Sequence, residues 1–410
     1  MSAQIIKAKL ATIDKGSVTS PQGFMAGATY AGIKQPGKGV LDLGILASEA
    51  QCQAAGLFTT NKVQSAPVKI SKKHLKSHQA GAIIVNSGCA NACTGKKGLA
   101  DTEEVIAMVA EGLSLSPENI LVASTGIIGT YLPVNKISEN LDKIVFSAEG
   151  GHDFARAMMT TDTFPKQKAV KVTVGETEFV IGGVAKGAGM IHPDLATMLC
   201  FITTDAAVEP GFLQRALKKA VEASLNMISI DGDTSPNDTV IILANGMAGN
   251  EEIKGSSPMA VPFQQALQEV CISLARDIAR DGEGATKIIE VRVQGAKNLG
   301  DARRAARYVV SSPLVKAAIH GNDPNWGRIM VAMGMSGAEI RESRVELFIN
   351  GHLLFKKGEP QSYSDPEVSS SLNQSEVVIL VDLHLGRARA TAWGCDLSEE
   401  YVTANSDYST

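Results

Sequence analysis

Apolar residues in this chain collect into runs no longer than one buried strand. Val377 to Val381 is among the longest, and Ala82-Ile83-Ile84-Val85 and Met198-Leu199-Cys200-Phe201-Ile202 are of the same kind. Such runs are far too short to cross a bilayer, which needs about 20 apolar residues in a helix. Between them lie stretches with a helical period. From Asp101 onward, Val105, Ile106, Val109 and Leu113 fall on one face, and QQALQEVCISLARDIAR within 258–280 is strongly periodic. Further helices are expected at 136–147, 151–159, 209–227 and 326–335. Strands are expected at 119–124, 239–244, 287–293, 344–349, 375–383 and 387–393, and VKVTVGETEFVIGG reads as a hairpin turning near Gly175. Strands and helices mixed along the whole length predict a layered α/β or α+β enzyme with mixed sheets rather than a purely parallel sheet.

The 410 residues supply enough core for two or three domains. With 44% hydrophobic and 20% charged residues the chain is a folded protein, not a disordered one. The net charge of −4 is scattered and contains no basic block, which argues against a nucleic-acid surface. MSAQIIKAKLATIDKG at the start has no continuous apolar stretch of the secretory kind. The cysteines at 52, 89, 93, 200, 271 and 395 are dispersed, and only Cys89 and Cys93 are close, so a reduced, cytoplasmic protein without a metal site is expected. TGKKG at 94–98 lacks the glycine spacing of a phosphate-cradling loop, and GxSxG and HExxH are absent. Chemistry without a bound cofactor is what remains.

Residues 186–206, KGAGMIHPDLATMLCFITTDA, set Thr197 at the joint between a glycine-broken loop and an apolar strand. A β-branched residue opening a strand is ordinary. A second reading makes Thr197 a nucleophile. A threonine hydroxyl needs a base, and cutting the chain after Ala196 supplies one. The freed α-amino group, with a reference pKa of about 7.7–8.0, can take the proton from its own residue's Oγ. Gly187 and Gly189 loosen the segment, Pro193 pins one dihedral, and Ala196 offers an unhindered carbonyl.

KGAGMIHPDLATML resembles the self-cleavage signature of the ornithine acetyltransferase (glutamate N-acetyltransferase) family. The likeness continues in TSPQGFMAGATYAGIK (19–34), LFTTNKVQSAPV (57–68), IIVNSGCANACTG (83–95), STGIIG (124–129), MTTDTFPK (159–166), DGDTSPNDT (231–239), RDGEGATK (280–287), HGNDPNWGR (320–328) and YVTANSDY (401–408). It covers nearly the whole chain. One departure is Cys89, where the family usually has Asn.

The resemblance implies a two-domain layered fold of the N-terminal-nucleophile type. It also implies self-cleavage into fragments 1–196 and 197–410 that stay together, as a heterotetramer of two pairs. Thr197 would take the acetyl group of N2-acetylornithine as an ester and pass it to glutamate. The exchange is amide for amide, so no thioester need drive it. Some members also use acetyl-CoA as a co-substrate, and the residues leave open which kind this is. Thr125 and Gly126 match the family's oxyanion hole. Taken alone, Ser-Thr-Gly could equally be a strand-to-helix turn. Thr163, Lys186, Glu283, Asn405 and Thr410 match substrate-binding positions, together with Thr197. Lys186 suits a carboxylate and Glu283 an ammonium, although charged residues in glycine-rich loops are commonly just solvated. Asn405 and Thr410 lie in a tail that would close over an acyl intermediate and shield it from water. Two rival readings are a related self-cleaving aminopeptidase or amidase, with water as acceptor, and an uncut amino-acid-binding protein.

Overall fold

The computed structural model describes residues 8–34, 37–192 and 198–407. Ala196, Thr197 and Thr410 therefore lie outside the described residues. Among the described residues the strands form two mixed sheets. The first holds β1 (Lys9–Thr12), β2 (Phe24–Thr29), β3 (Leu43–Phe58), β4 (Gln79–Cys89), β5 (Ile120–Ile127), β6 (Lys166–Val174), β7 (Thr177–Lys186), β8 (Leu199–Thr204) and β10 (Thr239–Ala244). Its order is β1-β6-β7-β8-β10-β3-β4-β5, with β2 paired to β3. The second contains β9 (Ile228–Ser229), β11 (Ile288–Ala296), β12 (Glu346–Ile349), β13 (His352–Lys356), β14 (Glu359–Pro360), β15 (Glu376–Asp382) and β16 (Ala388–Cys395), in the order β14-β13-β12-β15-β11-β16-β9. The pairs β8–β10, β4–β5, β11–β15 and β9–β16 are parallel, and the remaining ladders are antiparallel.

The hairpin expected at Gly175 joins β6 to β7 in register Val174↔Thr177, with Gly175 at φ +63°. Every residue of β8 is buried. Cys200 and Ile202 enter the cluster with α5 (Pro210–Glu222) and α6 (Ala260–Arg280), whereas Leu199 and Phe201 pack on the other face against Phe154 of α4 (Gly151–Ala157). Burial on both faces is why this strand reads as an unbroken apolar run rather than an alternation. The Phe154 and Phe201 rings sit 5.7 Å apart at 60°, an edge-to-face type of contact. Across β3–β5, α1 (Ala66–His74) and α2 (Gly95–Leu113) cover the face bearing Ile45, Ile84 and Val122. The long helix α6 contacts β6 and β7 on one side and β11 and β16 on the other, so a single apolar cluster runs from the first sheet to the second.

Several segments differ from the sequence expectation or went unread. Instead of a helix over 136–147 there is α3 (Val134–Ser138) and a 3-10 turn at Leu141–Lys143. Beyond that turn Ser147 exchanges backbone hydrogen bonds with Ala26 at 3.0 and 3.1 Å, a tertiary pairing that outcompetes local propensity. The helix expected to reach 227 ends at Glu222. α7 (Leu299–Ser311) also went unread, although Ala302, Ala305, Ala306, Val309 and Val310 place its buried stripe at helical spacing. The remaining helices are α8 (Pro313–His320), α9 (Trp326–Met335, with the bounds expected), α10 (Asp365–Ser371) and α11 (Glu399–Asp407). Of these α8, α10 and α11 went unread, as did α1 and β1 to β3.

The expected division at 196/197 would not follow the two sheets. Strands β8 and β10 stand in the interior of the first sheet, flanked by β7 and β3, both contributed by residues before 193.

Candidate active site

Strands β5 and β7 end at one cavity of about 240 Å³. Thr125, Gly126, Lys186, Glu283 and Asn405, spread over 280 positions of sequence, all line it. So does Met198, the residue that follows Thr197. Thr163 stands behind the cavity instead. Its N–H donates to Asp281 at 3.0 Å and its hydroxyl donates to the same carboxylate, while Thr160 and Thr161 form the wall.

Thr125 is buried near the end of β5, and the Lys186 Nζ lies 3.1 Å from its Oγ1. An ammonium has only protons to offer, so in this bond the threonine oxygen accepts. Its own O–H is thereby left to donate to another group, which is what a hydroxyl serving a developing oxyanion must do. Gly126 has φ +124°, and a Cβ there would lie 2.4 Å from the carbonyl carbon of Gly88. Only glycine fits where β5 presses on the bulge of β4 at Gly88 and Cys89.

Behind Lys186 lies a buried polar network. Asp162 accepts from Lys166 Nζ at 2.6 Å, from the Gly187 N–H at 2.7 Å and from the Thr160 N–H at 3.0 Å, and Lys166 also donates to Asp281 at 2.5 Å. Burial alone would raise the pKa of Asp162, but the charges of Lys166 and Lys186 outweigh it and hold the carboxyl at about 2. Burial lowers the pKa of Lys186, and the Asp162 carboxylate opposes that fall.

The opposite wall is acidic. Glu283 receives the Asn405 Nδ2 at 2.8 Å, and its own N–H donates to the Ala188 carbonyl at 2.8 Å. A Cβ on Gly189 would sit 2.5–2.6 Å from the Glu283 carboxylate, so glycine is what lets loop and carboxylate meet. Asp231 accepts from the Met190 and Ile191 N–H groups at 2.5 and 2.9 Å, anchoring the chain shortly before residue 193. Burial raises the pKa of Asp231, and it raises that of Tyr401 as well, whose phenol is bonded to Asp231 and faces the charge of Glu283. Asn237 Nδ2 donates to the carbonyls of Ala90 and Ser124 at 2.7 and 2.8 Å, tying together the ends of β4 and β5. Next to it, burial drives the Asp238 carboxyl well above the usual range, against the pull of Ser235 and Lys186.

Asp231, Asn237, Asp238 and Tyr401 were not assigned roles from sequence. The signal available was DGDTSPNDT, a dense set of turn formers and carboxylates, with nothing in it to say that it folds against β5.

A sequence model of the ArgJ family matches residues 25–410. The chain belongs to the ArgJ family. A relative named arginine biosynthesis bifunctional protein ArgJ, from Dehalococcoides mccartyi, is 52% identical over 405 residues, 99% of this chain and 100% of its own length. Among solved structures, the ArgJ protein of Bacillus halodurans is 44% identical, covering 50% of this chain and 97% of its own, with a TM-score of 0.49. An ornithine acetyltransferase from Mycobacterium tuberculosis, solved with ornithine, is 38% identical over 46% of this chain and 100% of its own, with a TM-score of 0.42. The family match takes in every strand of both sheets except β1, and every described wall of the cavity.

Proposed function

We propose that the protein is an acyltransferase of arginine biosynthesis that moves the acetyl group of N2-acetylornithine to glutamate through an acetyl ester on Thr197. The observation that carries this reading is the Thr125 hydroxyl, placed by Lys186 as a free donor in a cavity that Met198 lines. The chain cuts itself between Ala196 and Thr197. The α-amino group of Thr197 then takes the Oγ proton as Oγ adds to the acetyl carbonyl, and Thr125 and Gly126 hold the oxyanion. Collapse breaks the C–N bond, the departing ornithine amine receives the proton, and the acetyl group remains as an ester. Glutamate's amine attacks that ester, N-acetylglutamate leaves, and the proton returns to Oγ.

The mixed walls suit amino acids. Glu283 and the neighbouring carboxylates favour an ammonium, whereas Lys186 favours negative charge. Asn405 and Tyr401 on α11 place that helix against the cavity, in keeping with shielding an acyl intermediate. Thr163, held by Asp281, supports the wall from behind, and Thr410, outside the described residues, keeps the substrate-binding role that the family likeness gives it. Fragments 1–196 and 197–410 stay together because β8 and β10 are hydrogen-bonded on both sides by strands of the first fragment. Two such pairs make a heterotetramer in the cytoplasm. The reaction as written needs no bound cofactor, and acetyl-CoA would enter only as a co-substrate, as in the members of the family that use it.

Intact mass spectrometry tests this, on protein alone and after addition of N2-acetylornithine. Two fragments meeting at Ala196/Thr197, an acetyl increment on the second, and loss of both in Thr197→Ala are expected. A Thr197→Ala protein that still processes and transfers would end the reading. Ornithine and free acetate released equally fast without glutamate would favour the amidase.

A further inference from the structure

A second cavity, of about 760 Å³, opens between α7, α8 and α9 and shares no lining residue with the first. Its volume lies within the roughly 300–1,000 Å³ typical of small-molecule sites. Arg303, Arg304 and Arg307 of α7, Arg328 of α9 and His192 line it, and no acidic residue does so among the described ones. In a chain of net charge −4 this is a local excess of positive charge. Among the rest of the lining, which includes Ser311, Ser312 and Ser336, the apolar Leu314, Val331 and Met335 are exposed at 58, 60 and 63% and Tyr308 at 38%. Large aliphatic side chains clustered in a concavity and left in water mark a binding surface.

The guanidiniums are held in place. Arg303 Nη1 reaches Glu222 at 3.3 Å, Arg304 is paired with Asp301, and Arg328 Nη1 donates to the Leu314 carbonyl at 2.9 Å. Each of these bonds uses part of a five-donor fork. The combination is complementary to a molecule with an anionic head and an apolar body, since arginine pairs with planar oxyanions and the aliphatic floor takes the remainder. We propose that this cavity is a second binding site, for a small amphipathic anion carrying a carboxylate, sulfonate or phosphate on an aromatic or aliphatic frame.

The full-length protein is to be titrated with 8-anilinonaphthalene-1-sulfonate, followed by fluorescence, and with the uncharged N-phenyl-1-naphthylamine. Saturable binding of one sulfonate per chain is expected, with the uncharged compound about tenfold weaker, as loss of a charge-assisted contact implies. Arg304→Gln and Val331→Asp, both at exposed positions, should each weaken the sulfonate about tenfold while the melting temperature moves by only a few degrees. Equal binding of the neutral compound, unchanged affinity in both variants, or displacement by N2-acetylornithine would overturn the assignment. A dimer in sedimentation that Val331→Asp dissociates would also overturn it, by giving the surface to a second copy of the chain.

Discussion

Replacing Thr125 by valine removes one hydroxyl and keeps nearly the same volume, so the change isolates the hydrogen bonds. Two effects follow from the Lys186 Nζ lying 3.1 Å from Thr125 Oγ1. The transition state loses a donor, which typically lowers kcat about 10²- to 10³-fold, or roughly 3–4 kcal/mol. The folded state loses an acceptor for a buried ammonium, which costs roughly 1–3 kcal/mol of stability. Thr125→Ser keeps the oxygen and should retain most of both. The assay is steady-state release of ornithine from N2-acetylornithine with glutamate present, alongside urea unfolding and a mass measurement to confirm processing. A donor that acts only in the transition state lowers kcat and kcat/KM together and leaves KM nearly unchanged. The reasoning is refuted if processed Thr125→Val turns over within about twofold of wild type, or if its loss resides in KM alone.

Gly189→Ala should fold normally but bind poorly. The added Cβ meets the far end of the Glu283 side chain at 2.5–2.6 Å, which can swing away, rather than backbone. The KM for N2-acetylornithine should rise about tenfold, with the melting temperature moved by only a few degrees; an unchanged KM would remove Glu283 from the substrate site. Asp162 makes stability depend on pH. Its carboxyl titrates at about 2 in the fold against an ordinary 3.8, so its stabilisation is present above about pH 4 and is lost as pH falls toward 2. In urea titrations, the stability gap between wild type and Asp162→Asn should therefore shrink by roughly 2 kcal/mol between pH 5 and pH 2. A constant gap would mean that the neighbouring lysines do not hold that carboxylate.

Local pattern carried much of the fold. The period of α6, the bounds of α9, the Gly175 hairpin and the all-buried β8 were legible because each depends on residues a few positions apart. Where a distant partner intervened, as Ala26 does at Ser147, local pattern was misleading. At the cavity the contrast is sharper. Thr125, Gly126, Lys186, Glu283 and Asn405 were named from ordered motif likeness, and all five line one wall or another. Sequence could not say that Lys186 rests on the Thr125 hydroxyl, that Asp162 and Lys166 stand behind it, that Thr163 turns to Asp281, or that Asp231 and Tyr401 share the opposite wall. By itself the sequence determined which segments must be buried and which residue types were available for chemistry, since these follow from side-chain polarity and period. Only the tertiary structure decided which charges are neighbours and how far burial shifts their protonation, because Coulomb energy and desolvation depend on distance and surroundings that chain order does not contain.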